Sequence, residues 1–563
     1  MFLSNTSPLI FCDSYKVSHI SMYDKRSEYI QDNMTPRSVK YFTHFSDDDQ
    51  RIMFGGLQGF IKWYFIEMFQ KNFFDLPKDE ALKEYKEITD LLVGEGVTEM
   101  WGFEKLHDLG YLPIEIRALP EGTLVPVQVP MYTIQNTHPD FYWLPNFLES
   151  VMSSETWKTI TTATTFWQYR KLSEKWATKT CDDNSHVPFQ NHCFAYRGES
   201  GTHDAAQSEF GQMMNSMGTD TLPAIAYANK YYGMKGKPSS FSVPASEHSV
   251  ITTNIGSIVN RLKKEKPSLT LDELRYEAEV EFLKKYVTEI FPKGIVSYVS
   301  DSYDYFTMIT KGLVELKDEI MNRDGKLVIR PDSGTPEHII AGYRSLGEFS
   351  TFDEAYDALS SCKGNEELAK IGDDWHRIYG DEDGYFFDKL KSGLTDAEVK
   401  GSIEILWEIF GGTVNNKGYK VLDSHIGLIY GDSITVKRAK EIFERLEERG
   451  FASSNIVNGV GSFSLQVVSR DSLGMAVKAT GAVIDGEQIM VSKEPKTDLG
   501  KKSAKGFLKV IRNENGELEL KDNLTIEEVD LPDNELRTVF KDGKLLIDED
   551  LTTIRQRVTD NLG

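Results

Sequence analysis

Four short stretches of this 563-residue chain break an apolar run with a loop carrying Asp, Gly or Ser. An apolar run ends in SDSYD (Asp301, Asp304), another in RPDSG (Asp332, Gly334), a third in GDSI (Gly431, Asp432) and a fourth in NGVGS (Gly459, Gly461, Ser462). Arg197, Arg330, Arg470 and Lys478 add positive charge along the same span. Carboxylates at strand ends suit sugar hydroxyls or Mg²⁺, which prefers oxygen ligands. Arginines and glycine-rich backbone suit phosphate. The chemistry that uses both is that of a phosphorylated sugar with Mg²⁺, such as a sugar pyrophosphate. Solvated ion pairs, N-caps and ordinary loops use the same letters, but four such loops in series point to a site.

His248 stands in FSVPASEHSV between Glu247 and Ser249. A lone histidine is commonly a packed or surface residue; in a polar loop after a strand its imidazole can act as base or nucleophile. The chain has no GxxxxGK[ST], no GxGxxG opening a helix after a strand, no HExxH and no GxSxG, so those phosphate, metalloprotease and hydrolase chemistries have no footing.

The elements that must position these loops are short buried strands alternating with helical patterns, which indicates parallel βα units with polar residues on the catalytic face. Before them, KDEALKEYKEITDLLV over 78–93 has helical period, 111–119 and 131–135 read as strands, and 140–180 as long aromatic-rich helices. After them, Asp485-Gly486, Asn515-Gly516 and Asp542-Gly543 lie between alternating runs and predict antiparallel hairpins. Residues 340–420 read as an acidic, mostly helical insertion, with Thr351 and Glu354 as a capping box. No internal repeat or low-complexity tract interrupts the chain.

Composition sets the outer limits. Net charge is −23 with 40% hydrophobic and 27% charged residues, which is globular and argues against a general nucleic-acid binder. Cys12, Cys181, Cys193 and Cys362 are widely spaced without a CxxC pair, against a disulfide framework or structural zinc. With no run near ~18 uncharged apolar residues and no basic leader at the start, the expectation is a soluble cytoplasmic protein.

Twelve segments in order carry a resemblance: DSYKVSH (13–19), GLQ (56–58), LPIEIRALPEG (112–122), FAYRG (194–198), GTDT (218–221), YYG (231–233), SVPASEHS (242–249), VSYVSDSYD (296–304), IRPDSG (329–334), GDSI (431–434), SRD (469–471) and KEP (493–495). Together they resemble the nicotinamide-using type II phosphoribosyltransferases of the nicotinate phosphoribosyltransferase superfamily, over nearly the whole chain except 340–420. The resemblance implies transfer of phosphoribosyl from phosphoribosyl pyrophosphate to nicotinamide in NAD salvage. It implies Mg²⁺, and ATP as a co-substrate that phosphorylates His248. It also implies a homodimer with shared active sites. The implied fold is α/β: an incomplete TIM-like barrel over 141–475, with a β-rich domain built from 1–140 and 476–563.

Residue by residue, the resemblance places Phe194 on one face of the pyridine and the partner's Tyr15 on the other, with Asp220 accepting the carboxamide NH₂. Arg197 binds phosphate, and Arg330 lies beside carboxamide and phosphate. Asp332, Gly431 and Asp432 hold ribose hydroxyls. Asp301, with Asp332, serves the Mg²⁺–pyrophosphate region, and Glu247 stands beside His248. Gly461 and Ser462 cradle the 5′-phosphate; Arg470, Lys478 and Lys493 gather pyrophosphate and ATP phosphates; Ser297 joins the substrate-binding set. Asp220 in GTDTLP has the alternative use of a helix N-cap. At the carboxamide it would repel an acid: two like charges about 4 Å apart cost roughly 4 kcal/mol at an effective dielectric near 20, on the order of a thousandfold in affinity.

Three departures stand out. The family pattern has Arg three residues after a Tyr-Phe pair, where Tyr41-Phe42 is followed by Phe45; GDG reads Gly431-Asp432-Ser433; and the glycine run reads Gly459-Val460-Gly461-Ser462. The rival functions are a nicotinate-specific relative, opposed by Asp220, another Mg²⁺-dependent barrel enzyme such as an aldolase, which would want a Schiff-base lysine near a strand end, and a non-enzymatic binding protein.

Overall fold

A computed structural model describes residues 5–362, 365–381, 384–390, 393–431, 433–492 and 504–562. Its centre is a five-stranded parallel sheet in the order Asn191–Cys193, Ile456–Val460, Ile426–Tyr430, Leu327–Arg330, Val296–Val299. These are the four apolar runs before the loops, plus the strand before Phe194. Their near-continuous apolar character follows from burial on both faces: Tyr298, Ile329, Leu428 and Val460 are all 2% exposed or less. The strands run parallel, so every loop leaves from the same end.

Single parallel bridges extend both edges of this sheet. Cys193 pairs with Thr219, Gly218 with Phe241, and Ala245 with Ser297. The GTDT segment and the approach to His248 are thereby brought to the strand ends.

A second, seven-stranded sheet has the order Glu487–Met490, Met475–Ile484, Ser27–Pro36, Tyr132–Asn136, Ile114–Ala118, Arg537–Lys541, Lys544–Leu545, antiparallel in every pairing. Both ends of the chain build it, and Asn33 lies opposite Lys478. Asp485-Gly486 and Asp542-Gly543 both have positive φ, at 54° and 74° and at 48° and 79°, the mirror-image turn that matches strand twist. The 37-residue helix Leu144–Thr180 packs against both sheet systems, with Phe147, Leu148 and Val151 in one core and Phe166, Tyr169 and Leu172 in another.

The 340–420 segment corrects the expectation of a mostly helical insertion. It holds a four-stranded sheet, Gly384–Lys389, Asp374–Asp381, Leu368–Ile371, Ser345–Phe349, under the helix Phe352–Ser360, which begins with the Thr351/Glu354 capping box. Its core is small, built on Ala355, Leu359, Ala369, Ile371 and Ile378, so few apolar residues mark its strands. Arg445 of the helix Val436–Glu448 clamps it by pairing with Glu367, and Arg344 reaches Glu441 and Glu448. Among the described residues no helix is long and apolar enough to cross a membrane.

Candidate functional site

The end of the Asn191–Cys193 strand delivers two rings to one face. Residues two apart on a strand point the same way, and His192 and Phe194 stack with ring centroids 4.5 Å apart. Arg330, at the end of its own strand, lies over Phe194 with Cζ 5.0 Å from the ring centroid. Its Nε is buried without a hydrogen-bond partner among the described residues, an unmet donor beside an aromatic face.

Asp220 faces this group. His192 Nε2 is 2.9 Å from Asp220 Oδ1, and the Ser242 hydroxyl donates to the same oxygen. Burial works against the charge on Asp220, but His192, Ser242 and the Arg330 guanidinium together hold its carboxyl below the usual value. Asp220 is not the N-cap of the helix Leu222–Tyr231; Thr221 occupies that position. The result is an ionised carboxylate beside an aromatic slot.

His248 opens the 18-residue helix His248–Glu265, with Glu247 as its N-cap residue. Its Nε2 is 3.0 Å from Asp301 Oδ1, while its side chain stays 46% exposed and that of Asp301 only 2%. The other carboxylate oxygen accepts from the Asp332 amide (2.9 Å) and the Ser333 hydroxyl (2.6 Å). Asp301 therefore ties the histidine to the RPDSG loop. The Glu247 side chain accepts from Ser249. Asp304, the second acid of SDSYD, is a helix cap, accepting from the Thr307 amide at 3.0 Å.

Two close approaches define the remaining loops. A Cβ on Gly431 would lie 2.1 Å from Asp332 Oδ1 and 3.1 Å from Arg330 Nε; one on Gly198 would lie 2.1 Å from Ser462 Oγ. Glycine at 431 brings backbone against the Arg330–Asp332 pair, and glycine at 198 lets Arg197's loop meet Gly461-Ser462. Arg197 is exposed with no ion pair or hydrogen bond of its side chain among the described residues. Ser297 sits inside a strand, 5% exposed, its carbonyl accepting from the Ser246 amide and Tyr286 hydroxyl at 3.0 Å each. Asp432 and Lys493, and with Lys493 the KEP motif, lie outside the described residues. Ser433 takes a left-handed φ of 60°, a backbone state a glycine adopts more cheaply.

Tyr15, Arg470 and Lys478 come together elsewhere. They line a cleft of about 500 Å³ with Asp13, Glu149 and Trp157, and none of the loop residues above contributes to it. Tyr15 is 61% exposed; Lys478 pairs with Glu149 at 2.9 Å. Phe45 packs on the core, edge-on to Phe42 at 4.8 Å. The cation at the end of strand Ser27–Pro36 is instead Arg37, exposed and held by Nε to the Gly474 carbonyl at 3.0 Å, next to the Arg470–Ser472 turn.

Sequence reasoning missed His192, Ser242, Ser333 and Arg37. For His192 the signal was present: it stands two residues before Phe194 on a strand, hence on the same face. For the others only the folded chain brings the partners together. Among the described residues no three His, Cys, Asp or Glu converge as a metal cage. The arrangement can hold an aromatic ring carrying a hydrogen-bond donor, a phosphorylated sugar, and a histidine open to solvent.

The sequence model of the nicotinate phosphoribosyltransferase (NAPRTase) family matches residues 189–544. Relatives named nicotinamide phosphoribosyltransferase include one from Acinetobacter baylyi, 39% identical over 99% of this chain and 98% of its own length. Another, from Xanthomonas campestris, is 29% identical over 97% of each. Among solved structures, human nicotinic acid phosphoribosyltransferase aligns with a TM-score of 0.50 at 12% identity, covering 97% of this chain and 92% of that one, a likeness of mixed α/β fold.

Proposed function

Because the chain belongs to the nicotinate phosphoribosyltransferase family, we propose that it transfers the phosphoribosyl group of phosphoribosyl pyrophosphate to nicotinamide, giving nicotinamide mononucleotide and pyrophosphate in NAD salvage. The bond from C1′ to the pyrophosphate oxygen breaks as the bond to the pyridine nitrogen forms. The observation that carries this choice is Asp220, an ionised acceptor beside the Phe194 slot: it fits a carboxamide NH₂ and repels a carboxylate. The names of the full-length relatives support the same base.

Arg330, with its unpartnered Nε, would take carboxamide and phosphate; Asp332, Asp432 and Gly431 the ribose; Arg197, Gly461 and Ser462 the 5′-phosphate. Positive charge here stabilises the departing pyrophosphate better than the ground state. Mg²⁺ fits as an ion carried on pyrophosphate, since it keeps waters and phosphate oxygens and needs only one or two carboxylates; Asp301 and Asp332, joined at 2.9 Å through the Asp332 amide, would hold it. When bound it neutralises charge on the leaving group.

ATP enters at His248. Asp301 accepts from Nε2–H, which leaves the lone pair on Nδ1 as nucleophile toward the γ-phosphoryl; the N–P bond forms as ADP departs. The helix N-terminus favours the resulting anion.

Tyr15, Arg470 and Lys478 fit a contribution to the site of a second copy, because their cleft lies apart from the Phe194 loops of their own chain. In this reading the parallel sheet with its bridged edges is an incomplete TIM-like barrel over 141–475. The β-rich domain is formed from 1–140 and 476–563, and the enzyme is cytoplasmic.

The test is mass spectrometry of products from purified protein with Mg²⁺, phosphoribosyl pyrophosphate and equal nicotinamide and nicotinic acid, with and without ATP. Predominant nicotinamide mononucleotide supports the reading; predominant acid mononucleotide transfers it to the nicotinate-specific alternative; no product from either removes the assignment.

A further inference from the structure

Beneath Asp220 lies a carboxylate to which the reaction assigns no contact with substrate. Glu209, on the helix Thr202–Met213, is 0% exposed. Its Oε1 accepts from the Thr221 hydroxyl at 2.7 Å and its Oε2 from the Thr219 hydroxyl at 3.3 Å. Thr219 Oγ1 in turn accepts from the Thr221 amide at 3.0 Å. Asp220 stands between the two threonines, and its own amide donates to the Cys193 carbonyl at 3.2 Å. The buried Cys193 thiol also interacts electrostatically with Glu209.

We propose that Glu209 is a positioning residue for base recognition, locking the Asp220 loop to the His192–Phe194 strand from below. This rests on the base site assigned under Proposed function. The alternation of extended backbone carries the argument. Thr219, Thr221 and Cys193 turn inward to Glu209, and the residues between and beside them, Asp220, His192 and Phe194, turn outward to the slot. One buried group thus sets the spacing of three site residues that it does not itself expose.

The arrangement is costly on stability grounds alone. Thr221 is the N-cap of the helix Leu222–Tyr231 yet its hydroxyl makes no cap hydrogen bond and goes to Glu209 instead. Burial pushes the Glu209 carboxyl above the usual range, against the hydrogen bonds from Thr221 and Thr219. An apolar side chain would avoid that desolvation.

Full-length Glu209→Ala, Glu209→Gln and Thr221→Val test it by kcat/KM for nicotinamide and nicotinic acid, KM for phosphoribosyl pyrophosphate, and thermal melting. Glu209→Ala is expected to lower kcat/KM for nicotinamide about tenfold, mainly through KM, and to narrow the preference over nicotinic acid while leaving KM for phosphoribosyl pyrophosphate unchanged. Glu209→Gln keeps length and one acceptor and should restore most of the preference. Thr221→Val should reproduce part of the loss even where Glu209→Ala fails to fold. Folded variants that melt lower but keep both KM and preference would overturn the proposal. The NMR chemical shifts of the His192 ring read its 2.9 Å pairing with Asp220 without substrate. They should change in Thr221→Val, and unchanged shifts sink the proposal even where the wild-type enzyme turns over neither base. That wild-type failure alone would count against the function and not against Glu209.

Discussion

His248 and Asp301 meet at 3.0 Å between Nε2 and Oδ1, joining an imidazole half in solvent to a carboxylate that is 2% exposed. The same Asp301 receives the Asp332 amide and the Ser333 hydroxyl, so the histidine and the loop that would hold ribose share one anchor. Phosphorylating His248 would change the charge that Asp301 sees, and through it the RPDSG loop.

For His248→Ala we expect transfer without ATP to persist and the gain on adding ATP to vanish. Asp301→Asn should weaken both, since the amide upsets the Asp332 anchor as well as the tautomer of His248. Product yield with and without ATP, together with acid-labile ³²P incorporation from γ-labelled ATP, checks this; undiminished labelling in His248→Ala would place the phosphoryl group elsewhere.

Asp220→Asn removes the charge that opposes an acid and keeps the size. Nicotinamide loses a hydrogen bond to a charged acceptor, which is worth about 1.5–3 kcal/mol, so kcat/KM for it should fall roughly ten- to a hundredfold, while nicotinic acid improves. Because the folded carboxyl lies below its ordinary value, its ionised form and the affinity it confers should be complete above the ordinary carboxylate pKa. Both should decline only as pH drops through the folded one. A nicotinamide KM profile from pH 8 downward measures this; a rise in KM already near neutrality would contradict it.

Asp32 offers a stability prediction of the opposite sign. It lies on the strand Ser27–Pro36, 1% exposed, and neither carboxyl oxygen has a hydrogen-bond partner among the described residues. Burial first, and then the neighbouring Glu149, push it up to about 7. A raised acid leaves stability whole below the unfolded pKa, erodes it as pH rises, and adds no further loss above the folded value. Asp32→Asn should therefore raise stability by roughly 4 kcal/mol at pH 8 and much less near pH 4. Urea unfolding at the two pH values checks the difference; equal gains at both would mean that the carboxyl is not perturbed.

If Tyr15 and Arg470 complete the site of a second copy, two inactive variants should rescue one another. Arg470→Ala and Asp332→Ala, unfolded and refolded together in equal amounts, would form half mixed dimers with one intact site each, recovering about a quarter of wild-type activity. No recovery from a confirmed mixed dimer would put all the groups in one chain.

Much of this was legible because local chemistry and global fold agree. The run over 78–93 forms the helix Lys78–Val93, and the Asp-Gly pairs at 485 and 542 take the left-handed conformations their turns need. The loops after the apolar runs do converge, because parallel strands share one end. The 340–420 sheet was hidden because its few buried residues leave little alternation to detect. The pairing of Asp220 with His192, 28 residues away, and of Asp301 with His248, 53 residues away, depends on which strands become neighbours, which periodicity does not specify. Phe45 misled because spacing from Tyr41-Phe42 ignores that the strand ends at Pro36, and it is Arg37 that stands at its rim.

The strand Ser27–Pro36 lies in the middle of its sheet, and the neighbour on one side, Met475–Ile484, is made far later than the strand itself: Asn33 hydrogen-bonds to the carbonyl of Lys478, 445 residues on. At about 5–20 residues per second of synthesis the first strand waits roughly 20–90 s for that edge to be covered. Until then it presents an open row of amides and carbonyls on the ribosome. The closing of this sheet is thus a late event in the making of the chain, and truncation near 475 would leave Ser27–Pro36 with an unpaired interior edge.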